Sequence, residues 1–506
     1  MAVSATEYGD YAKDRNGWFF GLSGLQLVLV VFAGLPELAA LNSHSWSVIL
    51  GSLPVWALLV ALIAIPVRGW SACQWLLVLA SHALGELMGW THWQSRVAAG
   101  TVTDLVQADL PGVLAVVQTH DGPPFGHSMT RVAVIQDHAA HTWAAVARIE
   151  HPGIGMAEAD ERDRMATGLA ELQEIASRTE LIDLIALTVR TVPDDGAERA
   201  DWLRRHRKPS APPLARQVND TLSRHLMPAA VRSEAFVTVV VRESLIAKSA
   251  KQAGGGIDGR ARVLYGAISE VESRLRGAIG CTEVTWLDSP SLAVAIRTGF
   301  APGDRATLVA AELAARDNAD IATGVPMAAA GPSTAHAELR HYEHDAWCSV
   351  TDTILLPDQG AILGALAPVF VPSSPGERRS LTVFYPAMSQ ARADKVAGRE
   401  EMSAIVGSEL RRKSGQIERA RERRATVRVR NIDDKLAKGR ALVRPCAAAT
   451  VTVPSTWPVA EFGRRLDASI RLAGFIPQRL DGAQDAAFAA GVIPLGIGVP
   501  RRRGQR

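Results

Sequence analysis

The most informative part of the chain begins with the run WFFGLSGLQLVLVVFAGLP, residues 18–36. No charged residue lies between Arg15 and Glu37, and none lies between Glu37 and Arg68, where 48–67 makes a second apolar run. Each run is about 20 residues long, and a helix of that length rises about 30 Å, the thickness of a bilayer core. Two such runs in succession predict a two-helix transmembrane hairpin.

The flanking charges predict its orientation. Lys13 and Arg15 precede the first span and Arg68 follows the second, whereas the connecting loop, residues 41–46, contains neither lysine nor arginine. Because positive residues favour the inner side of a membrane, we expect a multi-pass protein of the inner membrane with both termini and its large soluble region in the cytoplasm.

Residues 69–94 carry a single charge, Glu86, and include an aromatic-rich amphipathic pattern. Seven of the twelve tryptophans lie at or before position 93. This pattern predicts an interfacial helix lying along the inner leaflet. A third span is the alternative, and it would place the rest of the chain outside.

The remaining sequence predicts an α+β fold with two ferredoxin-like lobes. Strands over 131–135 and 142–149, a helix over 157–178, a strand over 182–189, a helix over 214–226 and a strand over 236–241 give the order ββαβαβ. A similar cycle follows, with strands over 348–356, 381–385 and 447–453 and helices over 361–367, 460–472 and 484–490. Between them we expect a helix over 261–279 and a strand over 282–286.

These elements predict six segments. They are a transmembrane hairpin (1–68), an interfacial helix and linker (69–100), a first lobe (101–250), a mixed connecting segment (251–335), a second lobe (336–500) and a basic tail (501–506).

Composition and motifs exclude several functions. The chain of 506 residues has 55 basic and 52 acidic residues, too even a balance for a protein that coats nucleic acid along its whole length. Its four cysteines are far apart, and the phosphate-loop GxxxxGK[ST], GxSxG and HExxH patterns are absent. We interpret Gly254-Gly255-Gly256 as a turn, with a phosphate cradle as the alternative. No catalytic residue, cofactor site or metal site is predicted.

Histidines gather in two places. His120, His127, His138, His141 and His151 surround the first predicted hairpin, and His336, His341 and His344 lie beside Glu343 and Asp345. We interpret both groups as loop and strand-entry residues. A metal-dependent, membrane-bound enzyme using one of these groups remains the alternative.

Residues 411–440 form the strongest charge feature, with twelve basic residues against four acidic ones. A solvated helix face, an acidic partner surface, anionic lipid and DNA phosphates are all open interpretations. The candidate partner contacts in this segment are Arg411, Arg412, Lys413, Arg421, Arg423 and Arg424.

The order of these features resembles a family of actinobacterial integral membrane proteins encoded beside a conjugation-type ATPase. The resemblance lies in HYEHDAWCSVT (341–351) and in QDAAFAAGVIPLG (484–496). The second motif also resembles the end of the non-motor N-terminal domain of conjugation ATPases, and it adds Phe488 and Pro494 to the candidate contacts. A weaker resemblance is to the type VII secretion component EccE.

The resemblance implies a non-enzymatic structural subunit of a secretion or conjugation apparatus. Such a subunit would dock a separate hexameric ATPase, contact other secretion membrane subunits and act within an oligomeric complex. A type VII, EccE-like component is the alternative.

Overall fold

Two long apolar helices come first in the chain. In a computed structural model, α1 covers Gly24–Asn42, α2 covers Trp46–Ala64, and the two pack against each other. A third helix, α3, covers Ala72–Leu87, within the segment predicted to be interfacial. The structure describes residues 7–8, 24–42, 46–64, 66–67, 70–155, 157–193, 197–208, 210–226, 231–356, 361–398, 402, 431–432 and 434–499.

Thirteen strands of the described residues form one large antiparallel sheet. They are β1 (His92–Gln94), β2 (Val117–Phe125), β3 (Thr130–Asp137), β4 (Thr142–Glu150), β5 (Ile182–Pro193), β6 (Val231–Arg242), β7 (Glu283–Trp286), β8 (Thr334–Ala337), β9 (Tyr342–His344), β10 (Trp347–Leu355), β11 (Arg378–Pro386), β12 (Cys446–Pro454) and β13 (Ile476–Arg479).

The strands follow the spatial order β1-β8-β9-β10-β12-β11-β5-β6-β4-β3-β2, with β7 beside β4 and β13 beside β10. The central pair β5–β11 joins the two predicted lobes edge to edge, so strands of both lie in one continuous sheet. Two-residue strands also pair, Glu7–Tyr8 with Ala361–Ile362 and Pro66–Val67 with Trp70–Ser71.

In the part of the chain that the structure describes, further helices connect and cover these strands. They include α4 (Ala159–Thr179), α5 (Ala197–His206), α6 (Pro213–Leu226), α7 (Glu243–Gln252), α8 (Gly256–Arg274), α9 (Ser289–Phe300), α10 (Arg305–Ala315), α11 (Val459–Leu472) and α12 (Gln484–Val492).

The two halves of the sheet repeat one topology. The first half has the strand order β3-β4-β6-β5, and the second has the corresponding order β9-β10-β12-β11. In each half the fourth strand leads through helix to a short strand, β7 or β13, which pairs with the second strand. A further helix follows, α9 or α12. The recurring cycle in the sequence corresponds to this structural duplication.

Successive side chains along each strand point to opposite faces of the sheet, and helices cover both faces. One face carries α4 and α8 over the first half and α11 over the second. The opposite face carries α9 and α12, which meet at Phe300 and Phe488 with ring centroids 5.3 Å apart. The helices that end each half therefore share one core.

Two local predictions need correction. The prediction of a helix over 361–367 is wrong. The segment instead forms a two-residue strand, Ala361–Ile362, followed by a 3-10 turn, Ala367–Phe370. Gly364 has a positive φ of 86°, and the ring of Pro368 follows, so a continuous helix is disfavoured there. The sequence did not predict strand β2, because it contains Gly122, Pro123 and Pro124. These residues are tolerated there because β2 is an edge strand.

Candidate functional site

The α1–α2 hairpin exposes an extensive apolar surface. Ten of its large apolar side chains are 45–64% exposed, an unusual arrangement for a helix pair in water. They are Val28, Val31, Phe32, Leu35 and Leu38 on α1, and Leu53, Val55, Leu58, Leu59 and Leu62 on α2. Within the described residues, no helix reaches the combination of length and apolarity needed to cross a membrane.

Helix α3 connects this hairpin to the sheet. Its leucines Leu76, Leu79 and Leu87 are exposed, whereas Val78 lies against the turn that precedes α12. A Cβ at Gly482 would lie 2.3 Å from Val78 Cγ1, and the Gly482 N–H donates to the Leu339 carbonyl over 2.7 Å. A glycine at this turn therefore allows α3 to approach the sheet closely.

The C-terminal motif forms part of the core. Phe488 is fully buried on α12, and its ring contacts those of Phe300, Tyr342 and His344. Pro494 is also buried. Neither side chain lies on the surface of this fold, so neither is placed to contact a partner.

A layer of buried hydroxyl groups supports α12 in the second half. Thr382 Oγ1 donates to the Gly491 carbonyl over 2.9 Å, and Thr351 and Thr450 are hydrogen-bonded over 2.8 Å. A Cβ at Gly491 would lie 2.9 Å from Thr450 Oγ1. The small residues of the motif thus bring the helix into contact with a polar layer of the sheet.

His344 belongs to the same layer and is a core residue. Its Nδ1 lies 2.6 Å from the Phe300 carbonyl, so Nδ1 donates and Nε2 accepts from Ser349 Oγ at 2.8 Å. Burial lowers the pKa of His344 to about 3. A neutral imidazole with both nitrogens engaged has no lone pair for a metal.

The other histidines of that group lie near the sheet surface. His341 Nε2 is 3.2 Å from Glu343 Oε1, with Cys348 Sγ 3.9 Å from the same oxygen. His336 instead contacts Glu86 at the end of α3, and His92 stacks on its ring. Sequence reasoning missed this second grouping, because Glu86 and His92 are far from His336 in the chain.

Histidines near the first hairpin line its edges or an open pocket of about 350 Å³. His120 is hydrogen-bonded to Gln136 and His151 to the Ile279 carbonyl. His138 and His141 line the pocket, where Arg260 and Glu243 form an ion pair of 2.6 Å. The two charges compensate each other, so this pocket offers no strong attraction for an anion.

The glycine run forms a turn, as interpreted from the sequence. Gly254, Gly255 and Gly256 all have positive φ and connect helix α7 to helix α8. A phosphate-binding loop would instead follow a strand. The phosphate-cradle alternative is therefore not supported.

Helix α6 presents an apolar stripe that the sequence analysis did not single out. Leu214, Val218 and Leu222 are spaced by four residues, lie on one side of the helix and are 71%, 57% and 43% exposed. Trp202 on the preceding helix α5 is also exposed. The spacing could have revealed the stripe, but only the structure shows that the sheet leaves it uncovered.

The basic candidates, Arg411, Arg412, Lys413, Arg421, Arg423 and Arg424, lie outside the described residues. No protein-family model matches the chain, and no curated protein matches it.

Proposed function

We propose that the protein is a non-enzymatic, membrane-anchored structural subunit of a bacterial secretion or conjugation apparatus. Its cytoplasmic body docks a separate conjugation-type ATPase at the inner membrane, beside other secretion membrane subunits. The apolar surface of the α1–α2 hairpin carries the proposal. The choice of an ATPase as partner rests on the sequence resemblance.

Anchorage is supported by surface and sequence together. Exposed apolar patches of this size mark membrane or protein contacts, because water does not favour them. The uncharged run begins directly after Arg15, ahead of the first described residue of α1, Gly24. We therefore place both uncharged runs in the bilayer, with α3 against the inner leaflet.

Docking is supported by α6 and by the duplication of the sheet. Helix α6 lies between β5 and β6, and the basic segment 411–440 occupies the corresponding position between β11 and β12. Both halves thus carry an insertion after their third strand. We propose that the exposed stripe of α6 and the basic segment contact the partner, one through apolar burial and the other through charge.

Membrane extraction tests anchorage. We expect the full chain to resist carbonate extraction and to float with vesicles. Charges in the hairpin, Val31→Glu with Leu58→Glu, should release it, whereas Leu472→Glu, at an exposed position of α11, should not. Complete release of the unmodified chain by carbonate would contradict anchorage.

Photo-crosslinking in cells tests the docking face. A crosslinking amino acid at Val218 should yield an adduct with a P-loop ATPase, whereas the same group at Leu472 should not. No ATPase adduct at Val218, or the same adduct from both positions, would contradict this face.

A further inference from the structure

We propose that Glu86, His92 and His336 form a site for a transition-metal dication such as Zn²⁺, which fastens α3 to the end strands of the sheet. The three residues come from two distant parts of the chain. The site is independent of the partner proposed above.

Local geometry brings the residues together. His92 on β1 is directly opposite His336 on β8, so both imidazoles lie on one side of the sheet. Helix α3 ends in a tight turn, in which Trp90 N–H donates to the Gly85 carbonyl over 2.8 Å and Gly89 has a positive φ of 71°. This turn places Glu86 beside the histidine pair.

The ligand atoms are close enough for one ion. Glu86 Oε1 lies 2.9 Å from His336 Nε2, and Glu86 Oε2 lies 3.9 Å from His92 Nε2. All three ligand atoms fall within 4.8 Å of one another. Adjacent ligand atoms around tetrahedral zinc, with bonds of about 2.0–2.1 Å, are about 3.4 Å apart. Closure therefore requires movements of about an ångström, mainly of the exposed His92 ring.

His92 has room for that movement. Its ring stacks on His336 with centroids 3.9 Å apart and planes 15° apart. Parallel rings cannot both direct an in-plane lone pair at one ion. The His92 side chain is 61% exposed, so it can rotate out of the stack towards the ion.

Carboxylates behind His336 complete the arrangement. His336 Nδ1 lies 3.5 Å from Glu338 Oε1 and 3.9 Å from Glu343 Oε2. A carboxylate on the second nitrogen orients a metal-binding imidazole and increases its basicity. Two imidazoles and one carboxylate select zinc-like ions over magnesium or calcium, and a fourth position remains open to water.

Metal titration of the full chain in detergent tests the site. We expect one equivalent of Zn²⁺ to bind, with affinity at least about tenfold lower in His336→Ala, His92→Ala and Glu86→Gln. His127→Ala, at an exposed histidine in a turn, is the matched control. Unaltered circular dichroism would show that the variants fold. The proposal would be overturned if the unmodified chain bound no Zn²⁺, or if a variant with all three substitutions bound Zn²⁺ as tightly as the unmodified chain.

Cobalt spectroscopy distinguishes this site from the neighbouring His341, Glu343 and Cys348. Co²⁺ at the proposed site should give tetrahedral d–d bands without a thiolate charge-transfer band. A thiolate band that disappears in Cys348→Ser would move the metal to the neighbouring group and overturn our assignment.

Hydrogen exchange tests the fastening. Zn²⁺ should slow exchange of amides in α3 and residues 88–94, and His336→Ala should abolish the change while His127→Ala retains it. Zinc binding without any protection of α3 would show that the ion does not join the helix to the sheet.

Discussion

The two halves of the sheet share a topology but differ in how they fill the face beneath α9 and α12. The first half covers it mainly with apolar side chains such as Val146, Phe236 and Val240, beside the buried threonines Thr188 and Thr238. The second half places hydroxyl groups there, including those of Ser349, Thr351, Thr382, Thr450 and Thr452. One topology can therefore be stabilised by apolar burial or by a satisfied polar layer, and the second is more sensitive to loss of a single hydrogen bond.

The largest effect should come from the contact between the halves. Phe488→Ala should destabilise the protein by about 3–5 kcal/mol, because it removes a fully buried ring from the shared core. Phe300→Ala should have a similar effect. Denaturant unfolding of the single and double variants should show non-additive losses, since the rings touch. Strict additivity would mean that the halves are not coupled here.

Each half also has a buried arginine on its third strand. Arg379 pairs with fully buried Glu377 over 2.6 Å and contacts Ser469 on α11, whereas Arg190 pairs with Glu234 over 3.0 Å and contacts α9. Arg379→Met should cost about 3–5 kcal/mol, because it leaves the buried carboxylate of Glu377 without its cationic partner. Thermal unfolding should show partial recovery when Glu377→Met is added. A loss below 1 kcal/mol for Arg379→Met would show that the pair is unimportant.

The second half, which contains the hydroxyl layer, should lose stability in acid because of His344. Burial lowers its pKa to about 3 from an ordinary value near 6.5, so the unfolded chain takes up this proton first as the pH falls. Its stabilising contribution is therefore complete above pH 6.5 and should fall by about 2 kcal/mol by pH 5. His344→Gln should remove this contribution to the pH dependence. An identical pH profile in the variant would contradict the assignment.

A smaller effect should follow from removing one hydroxyl group. Thr382→Val should cost about 1 kcal/mol, because the Gly491 carbonyl and Thr188 each lose a hydrogen bond. Thr382→Ser keeps the hydroxyl and serves as the control. An unchanged free energy of unfolding in Thr382→Val, measured by chemical denaturation, would show that this hydroxyl group does not contribute to stability.

The smallest effect on stability should be at α6. Leu222→Ser should change the free energy of unfolding by no more than about 0.5 kcal/mol, because its side chain is exposed. The same substitution should weaken recovery of the partner. A loss above 1 kcal/mol would place this helix in the folded core.

Much of the fold followed from local patterns. The β-branched run over 236–241 predicted strand β6, and helical spacing in 460–472 predicted helix α11. The helix matches its observed bounds closely, whereas the strand begins five residues earlier than predicted, at Val231. The edge-to-edge pairing of β5 with β11 could not be predicted, because it depends on which strand edges meet rather than on the pattern within either strand.

The candidate sites were less predictable. The sequence placed His344 beside other possible ligands, but only tertiary packing shows that both of its nitrogens are used in the core. Glu86, His92 and His336 meet through the pairing of β1 with β8, a contact between segments more than 200 residues apart.

Co-purification from native membranes tests the central claim most directly. The full chain, tagged at its C-terminus and extracted in mild detergent, would be purified and its associated proteins quantified by mass spectrometry. We expect a P-loop ATPase in near-stoichiometric amount. A partner-free protein recovered under conditions that preserve other membrane complexes would contradict the docking function.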